Sequence, residues 1–462
     1  MYIVNTIHIC LKGGKNMKKK IITICIFVIV ISPALVSALT VENQSVDNKK
    51  GQNGTLIGEK DVILSDEITW MKIFGGYGYE YGNAVQQTTD DGYIVIGTTP
   101  SYGPGTRAGW LIKIDEYGNE EWNKTYGGPG AEAAYDGQQT SDNGYIIVGF
   151  TDSYIENPDA WLVKTDEHGN VEWSKRYGGF FTEVGERVRQ TNDEGYIMVG
   201  ITKSYGSSDQ NIWLLKTDKD GNELWNKTFG EENSGGSSVQ QTNDGGYIIA
   251  GGIDSDTWGE AILIKTDTNG NQQWSKTYGG SNIDGAFSVQ QTNDGGYIVL
   301  GNTISIEFGG YGAWLIRTDS EGNELWNKTY FGSGLGTVQL TNDGGFVFTD
   351  SINSLLFQAQ LRIVKINKNG RTQWIRELGT TSNEGGSAIQ QTNDGGYIVV
   401  GETDVNGFGV YDILVIKTDK NGRNTAMVND FNKFSMKFFL QQIFHKFLDI
   451  LEHQQLLYQV KK

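Results

Sequence analysis

The chain has 462 residues, 63 of them glycine, with 12 Trp, 22 Tyr and 19 Phe, and a formal net charge of −17. That length can bury a substantial core, and glycine with aromatics at this level points to many short strands joined by tight turns. The negative charge excludes the basic stripe that a nucleic-acid partner requires.

In chain order, Met17-Lys18-Lys19-Lys20 is a basic start and Ile21 to Ala34 an apolar run. Val36-Ser37-Ala38 then closes with the small residues that signal peptidases accept. Residues 1–38 therefore read as an upstream extension plus a secretory signal starting at Met17 and cleaved after Ala38. This predicts a secreted or cell-surface protein. The rival is an uncleaved membrane anchor, for which the apolar run is short. Cleavage removes Cys10 and Cys25, the only cysteines, so the mature chain must be held by its core and not by disulfides. Residues 39–66 read as a polar linker.

From residue 67 to 428 one unit is repeated. An aromatic residue after an Asn-Asp-Gly-Gly-type turn falls at Tyr93, Tyr145, Tyr196, Tyr247, Tyr297, Phe346 and Tyr397, at intervals of 49 to 52 residues. Such a period marks a repeat architecture whose units cannot bury their faces alone. In the fourth unit the predicted strands are 238–242, 247–251, 261–266 and 272–278. Asn243-Asp244-Gly245-Gly246 closes the first hairpin and Asp267-Thr268-Asn269-Gly270-Asn271 the last, since Asn, Asp and Gly tolerate the positive φ of such turns. Four antiparallel strands per unit, seven times over, predict an all-β fold, a seven-bladed β-propeller.

The ends of the array support closure. A tryptophan strand follows each of six units, at Trp122, Trp173, Trp225, Trp274, Trp326 and Trp374, and the seventh has none. Ile68-Thr69-Trp70-Met71-Lys72-Ile73-Phe74-Gly75-Gly76, ahead of the first unit, matches that strand. The N-terminal strand is therefore expected to complete the last blade, which removes the open edges of a linear array. These seven tryptophans, with Trp110, Trp161, Trp213 and Trp314 on the third strands, are expected to fill the wedges between sheets.

The units resemble the secreted β-propeller repeat proteins of archaea and bacteria, whose blades run QQTxDGGYIVxGxT and then WLIKTDxxGNxxWxKTYGG. The resemblance covers about residues 68–419 and implies a fold more than an activity. The turn from Asp218 to Trp225 is also similar to the tryptophan-docking motif of the quinoprotein dehydrogenase-like propeller superfamily, with a shorter Asp-to-Gly step. It is similar, too, to the Asp-box turn of sialidases, which has a shorter Gly-to-Trp step. Both likenesses imply blade packing.

Comparison of the seven units with one another separates scaffold from candidate site. The turns of the first and last hairpins are nearly uniform, whereas the loops between second and third strands and the crossings between blades all differ. Strand alternation puts these two variable sets on one end of the ring, the expected binding face. Its candidate ligand-binding residues are Tyr102, Arg107, Tyr154, Phe181, Trp258, Tyr311, Phe408 and Tyr411. Tyr79, Tyr81 and Phe308 join them, with Glu156, Asp159, Glu260 and Asp412 among the aromatics. Aromatic faces beside carboxylates suit a glycan or a protein hot spot; the alternative is that they are ordinary loop residues covering the blade tops.

Ahead of the first strands lie Glu80, Glu132, Glu183, Asp284 and Glu384, with Ser234 and Ser333 in the other two blades. These acids either gather at the channel mouth around a cation or, the reading favoured here, cap backbone N–H groups of their own crossings. Asp218-Lys219-Asp220-Gly221 has a calcium-loop look but reads as a turn, because the other blades lack the second aspartate. No catalytic set, metal site or cofactor is assigned. The chain is expected to be a monomeric binding module, with a secreted carbohydrate-active hydrolase using loop carboxylates as the rival. Asn123, Asn226 and Asn327 begin N-glycosylation sequons inside the repeated tryptophan strand.

After Asp430 the apolar residues Phe434, Phe438, Leu440, Phe444, Phe447, Leu448 and Leu451 recur at helical spacing. Residues 429–462 thus predict an amphipathic helix, either docked on the propeller or free for a membrane surface or a partner.

Overall fold

A computed structural model describes residues 5–9, 22–26 and 69–424, except 154–156, 207–209, 231–232, 254–258, 280–283, 305–311, 354–358, 380–382 and 405–409. The chain divides into two compact units, Met1–Leu64 and Ser65–Lys462. In the first, Asn5–Ile9 pairs antiparallel with Ile22–Ile26, Ile7 opposite Ile24. The predicted C-terminal helix lies outside the described residues.

The second unit carries seven four-stranded sheets. It is a seven-bladed β-propeller. In the fourth blade the strands are Ser234–Gln241, Tyr247–Ile253, Glu260–Thr266 and Gln272–Tyr278, each antiparallel to the next. The innermost strand begins four residues earlier than its sequence predicts. A β-bulge between Gly236 and Ser238 breaks the alternation there and hides the strand's first half from a period-two reading.

The last blade combines Glu384–Gln391, Tyr397–Thr403 and Asp412–Thr418 with Trp70–Phe74 from the start of the propeller. Trp70 stands opposite Lys417 in the register that Trp274 takes opposite Lys265. Asn424, just past the final turn, donates from Nδ2 to the carbonyls of Trp70 (2.7 Å) and Lys417 (2.9 Å). The ring is closed by the strand the repeat count left over.

Each outer-strand tryptophan grips the following blade. Trp225 stands edge-on to Tyr247 at 6.0 Å, and Trp70 repeats this across the closure on Tyr93 at 5.7 Å, its indole N–H donating to the Glu116 carbonyl at 2.8 Å. The ring of Trp225 also lies against Gly270, where φ is +75° and a Cβ would sit 2.6 Å from the indole. Glycine is needed there twice, for the turn and for the close approach.

The repeated Gln-Gln-Thr also joins blades, in both directions. The Gln240 side-chain oxygen Oε1 accepts the Gln291 N–H of the following blade at 2.7 Å. The Gln241 Oε1 accepts the Asn192 N–H of the preceding blade's turn at 2.9 Å. Buried strand edges must satisfy their backbone groups, and here neighbouring blades do it for one another.

A third repeated contact was not anticipated from the sequence. The buried lysine of each third strand meets the aspartate of its own first hairpin turn, as in Lys265–Asp244 (2.8 Å), Lys113–Asp90 (2.9 Å), Lys164–Asp142 (2.8 Å) and Lys417–Asp394 (2.7 Å). Arg317 takes the same place against Asp294. Each lysine also donates to a backbone carbonyl, Lys265 to Thr266 at 2.8 Å.

Candidate functional site

The first-to-second and third-to-fourth strand turns share one end of the ring. The second-to-third loops and the blade crossings share the other, as the antiparallel order requires. Of the eight residues predicted for the variable face, Tyr102, Arg107, Phe181 and Tyr411 are described, whereas Tyr154, Trp258, Tyr311 and Phe408 lie outside the described residues, as does Phe308.

Tyr102 and Tyr411 flank the crossing that closes the ring, Gly75 to Glu80. Tyr102 donates its hydroxyl to the Gly75 carbonyl at 2.9 Å and packs on Trp110 with ring centroids 5.3 Å apart. Tyr411 lies 6.2 Å from Tyr79, and its carbonyl accepts the Glu80 N–H at 2.9 Å. Tyr77, 80 % exposed, sits on the same crossing and is held through its N–H by Ser101 Oγ at 2.9 Å. Tyr77, Tyr79, Tyr81, Tyr102 and Tyr411 therefore all stand partly exposed around this one seam, with Tyr79 and Tyr411 as the ring pair among them.

Arg107 and Phe181 belong to other seams. The Arg107 guanidinium lies over Phe150 at 5.7 Å. Phe181 packs edge-on against Phe180 at 5.2 Å and donates its N–H to Ser204 Oγ at 2.8 Å. The structure thus gathers half of the described candidates and disperses the other two.

Sequence reasoning missed Glu402 of the last blade. Burial pushes its carboxyl up to about 7, and its charge is felt by Tyr411. The signal was present as the one acidic residue following the repeated glycine of a second strand.

The crossing acids do not point at a shared centre. Glu132 accepts from the Thr151 hydroxyl (2.8 Å), the Ser153 hydroxyl and the Gly128 N–H (3.0 Å). Glu183 accepts from the Thr202 hydroxyl (2.7 Å) and the N–H groups of Ser204 (2.9 Å) and Gly179 (2.8 Å). Glu80 binds the hydroxyls of Thr99 and Ser101. Each of these three acids holds a crossing onto its own blade, the capping role rather than the cation role. Blade six, with Ser333 at that position, uses Asp350 from its second strand, which accepts the Gly334 N–H at 3.0 Å and pairs with Arg362.

Asp412, expected on the face, is buried beneath the crossing. Burial raises its pKa, and the neighbouring Glu80 carboxyl raises it further through charge and a hydrogen bond. Asp159 is raised by burial and by Glu183, with Arg176 opposing.

Asp218 accepts the N–H groups of Asp220 (2.9 Å) and Asn222 (2.7 Å), which makes its loop a turn. The sequon residues Asn123, Asn226 and Asn327 each donate to a glutamate three residues back at 2.6 Å.

No family model matches the chain, and no curated protein matches its sequence. Among solved structures it is similar to the Neurospora crassa Pan2 WD40 domain at 9 % identity and a TM-score of 0.47, over 78 % of this chain and 98 % of that one. It is similar to BBS1N in complex with ARL6DN at 10 % identity and 0.46, over 78 % and 99 %. Puromycin hydrolase matches at 11 % identity and 0.46, over 70 % of this chain and half of its own.

Proposed function

We propose that the chain is a secreted or cell-surface binding module that takes a protein or glycan on its variable-loop face, with the tyrosine cluster at the ring closure as the contact. The observation that carries this reading is the rigidity of the exposed tyrosines. The crossing is tied to the Ser101-Tyr102 segment by the Tyr77 backbone N–H and by the Tyr102 hydroxyl, and Tyr79 packs with Tyr411. Tyrosine presents a large amphipathic surface at low entropic cost, and holding it in place before contact lowers that cost further.

The test is binding of the full chain to a glycan array and to a panel of extracellular proteins, beside a Tyr79→Ala/Tyr411→Ala double variant. About tenfold or greater loss of affinity is expected, the scale of a truncated hot spot, with the melting temperature nearly unchanged. Retained binding in the variant rejects the site, and polysaccharide turnover in the panel would favour the hydrolase reading. Secretion is tested separately. The exported chain should begin at Leu39, and N-terminal sequencing that finds residues 17–38 still attached would replace the signal with an anchor.

A further inference from the structure

The seven inner strands enclose a cavity of about 240 Å³ lined from every blade. Two tiers of side chains face it, and their acceptor atoms are already engaged. In the first tier, Asp136, Ser238, Ser288 and Thr337 accept the N–H groups of Val188 (3.1 Å), Val289 (3.2 Å), Val338 (3.2 Å) and Ile389 (3.1 Å) in the following blades. In the second, the carbonyl oxygens of Gln86, Gln138, Gln240, Gln290 and Gln390 do the same for the next blade. A backbone N–H demands the amide oxygen, so the NH₂ groups of Gln86, Gln240, Gln290 and Gln390 are left for the cavity, while that of Gln138 turns back to the Gln139 carbonyl at 3.4 Å. The lumen is a donor surface.

Blade three departs from this pattern at both tiers. Arg189 stands where the other six blades carry glutamine, and Arg187 where they carry a small residue or Asp136. A guanidinium has no acceptor, so Arg189 interrupts the amide belt opposite Gln241. Both arginines meet the single carboxylate of Asp136, Arg187 Nη1 at 3.4 Å and Arg189 Nη1 also in contact. Two guanidiniums share that one carboxylate. Among the described residues the only other acid that interacts with Arg187 is Glu186, whose carboxyl burial pushes above its ordinary range and toward the neutral form while Arg187 opposes the shift. Among the same residues Nε and Nη2 of both arginines have no hydrogen-bond partner. The remaining donors form the planar fork that matches a carboxylate.

We propose that this channel binds a small oxygen-rich monocarboxylate of the hydroxy-acid or uronic-acid class. Its carboxylate meets Arg187 and Arg189, and its other oxygens accept from the glutamine amides. At roughly 30 Å³ per liquid water the cavity has room for about eight waters, which is the size of such an acid.

Titration calorimetry on the full chain, at fixed ionic strength, uses galacturonate, gluconate, neutral galactose and inorganic phosphate. Both carboxylates are expected to bind with Kd at or below about 1 mM, with galactose and phosphate at least about tenfold weaker. Arg189→Gln restores the residue of the other six blades and the belt bond to Gln241. It should lose about tenfold or more of the carboxylate affinity without a fall in melting temperature. Arg187→Ser, a residue two other blades carry there, is expected to act in the same direction. Absence of carboxylate binding in the parent chain overturns the proposal. So does affinity within about twofold in both variants, or equal affinity for galactose or phosphate. Loss of melting temperature in both variants with no carboxylate binding by the parent assigns the arginines to packing.

Discussion

A chain lacking residues 67–76 is expected to lose the single cooperative unfolding transition of the intact ring. The segment supplies the outer strand of the last blade, paired with Asp412–Thr418 over five residues. It also supplies Trp70, 7 % exposed, in the cluster that joins the last blade to the first through Tyr93, Trp110, Ile398 and Val415. Without it the third strand of that blade becomes an exposed edge and the wedge beside the first blade opens. Trp70→Ala alone should destabilise by about 3–5 kcal/mol, the range for truncating a buried tryptophan. Calorimetry decides: a truncated chain that melts in one transition at the parent temperature would show that the ring does not depend on this strand.

The second large effect concerns the seven lysine or arginine pairs with the turn aspartates, and it is asymmetric. In the Lys265–Asp244 pair the lysine side chain is 5 % exposed and the aspartate 57 %. Asp244→Asn strands a buried cation, a change that costs about 3 kcal/mol, the lower end for breaking a buried pair because the open aspartate was already screened by water. Lys265→Met leaves only a water-facing carboxylate and should cost about 1 kcal/mol. Urea unfolding of the two single variants and the double reads this directly; an equal or reversed order would mean that Asp244 is not what compensates the buried lysine.

The same pairs set the acid limit. At Asp343 burial opposes ionisation, yet Lys365, the Thr341 hydroxyl and the Gly345 N–H outweigh it and hold the carboxyl down to about 2. Asp90, Asp142, Asp193, Asp244, Asp294 and Asp394 are lowered in the same direction. A carboxyl whose folded pKa lies below its unfolded value stabilises above the unfolded value, and that stability is lost as pH falls through the folded one. With seven acting together, stability should drop steeply between about pH 4 and pH 2. A pH series of melting temperatures without that drop would contradict the pairing.

Where sequence and structure agree, the interaction is local or repeated. Hairpin turns such as Asn243-Asp244-Gly245-Gly246 declare themselves through residues that tolerate positive φ, and Gly245 indeed lies at +82°. Closure was legible because Trp70 filled a gap in a count. The lysine–aspartate pairs were not, because the partners sit 21 to 23 residues apart, the lysine on the third strand and the aspartate in the first hairpin turn. The periodicity marks the lysine position as inward but does not say what meets it there.

By itself the sequence determined the number of blades, the strands within each and the strand that closes the ring, since each follows from period, turn chemistry and alternation along the chain. Tertiary structure alone decided which loop residues meet. It gathered Tyr77, Tyr79, Tyr81, Tyr102 and Tyr411 at one seam and sent Arg107 and Phe181 to others. It also turned every Gln-Gln-Thr acceptor onto a neighbouring blade, leaving donors and two arginines facing the axis. The physical reason is that a ring brings residues 300 positions apart into contact, and the hydrogen bonds made there determine which side-chain atoms remain free.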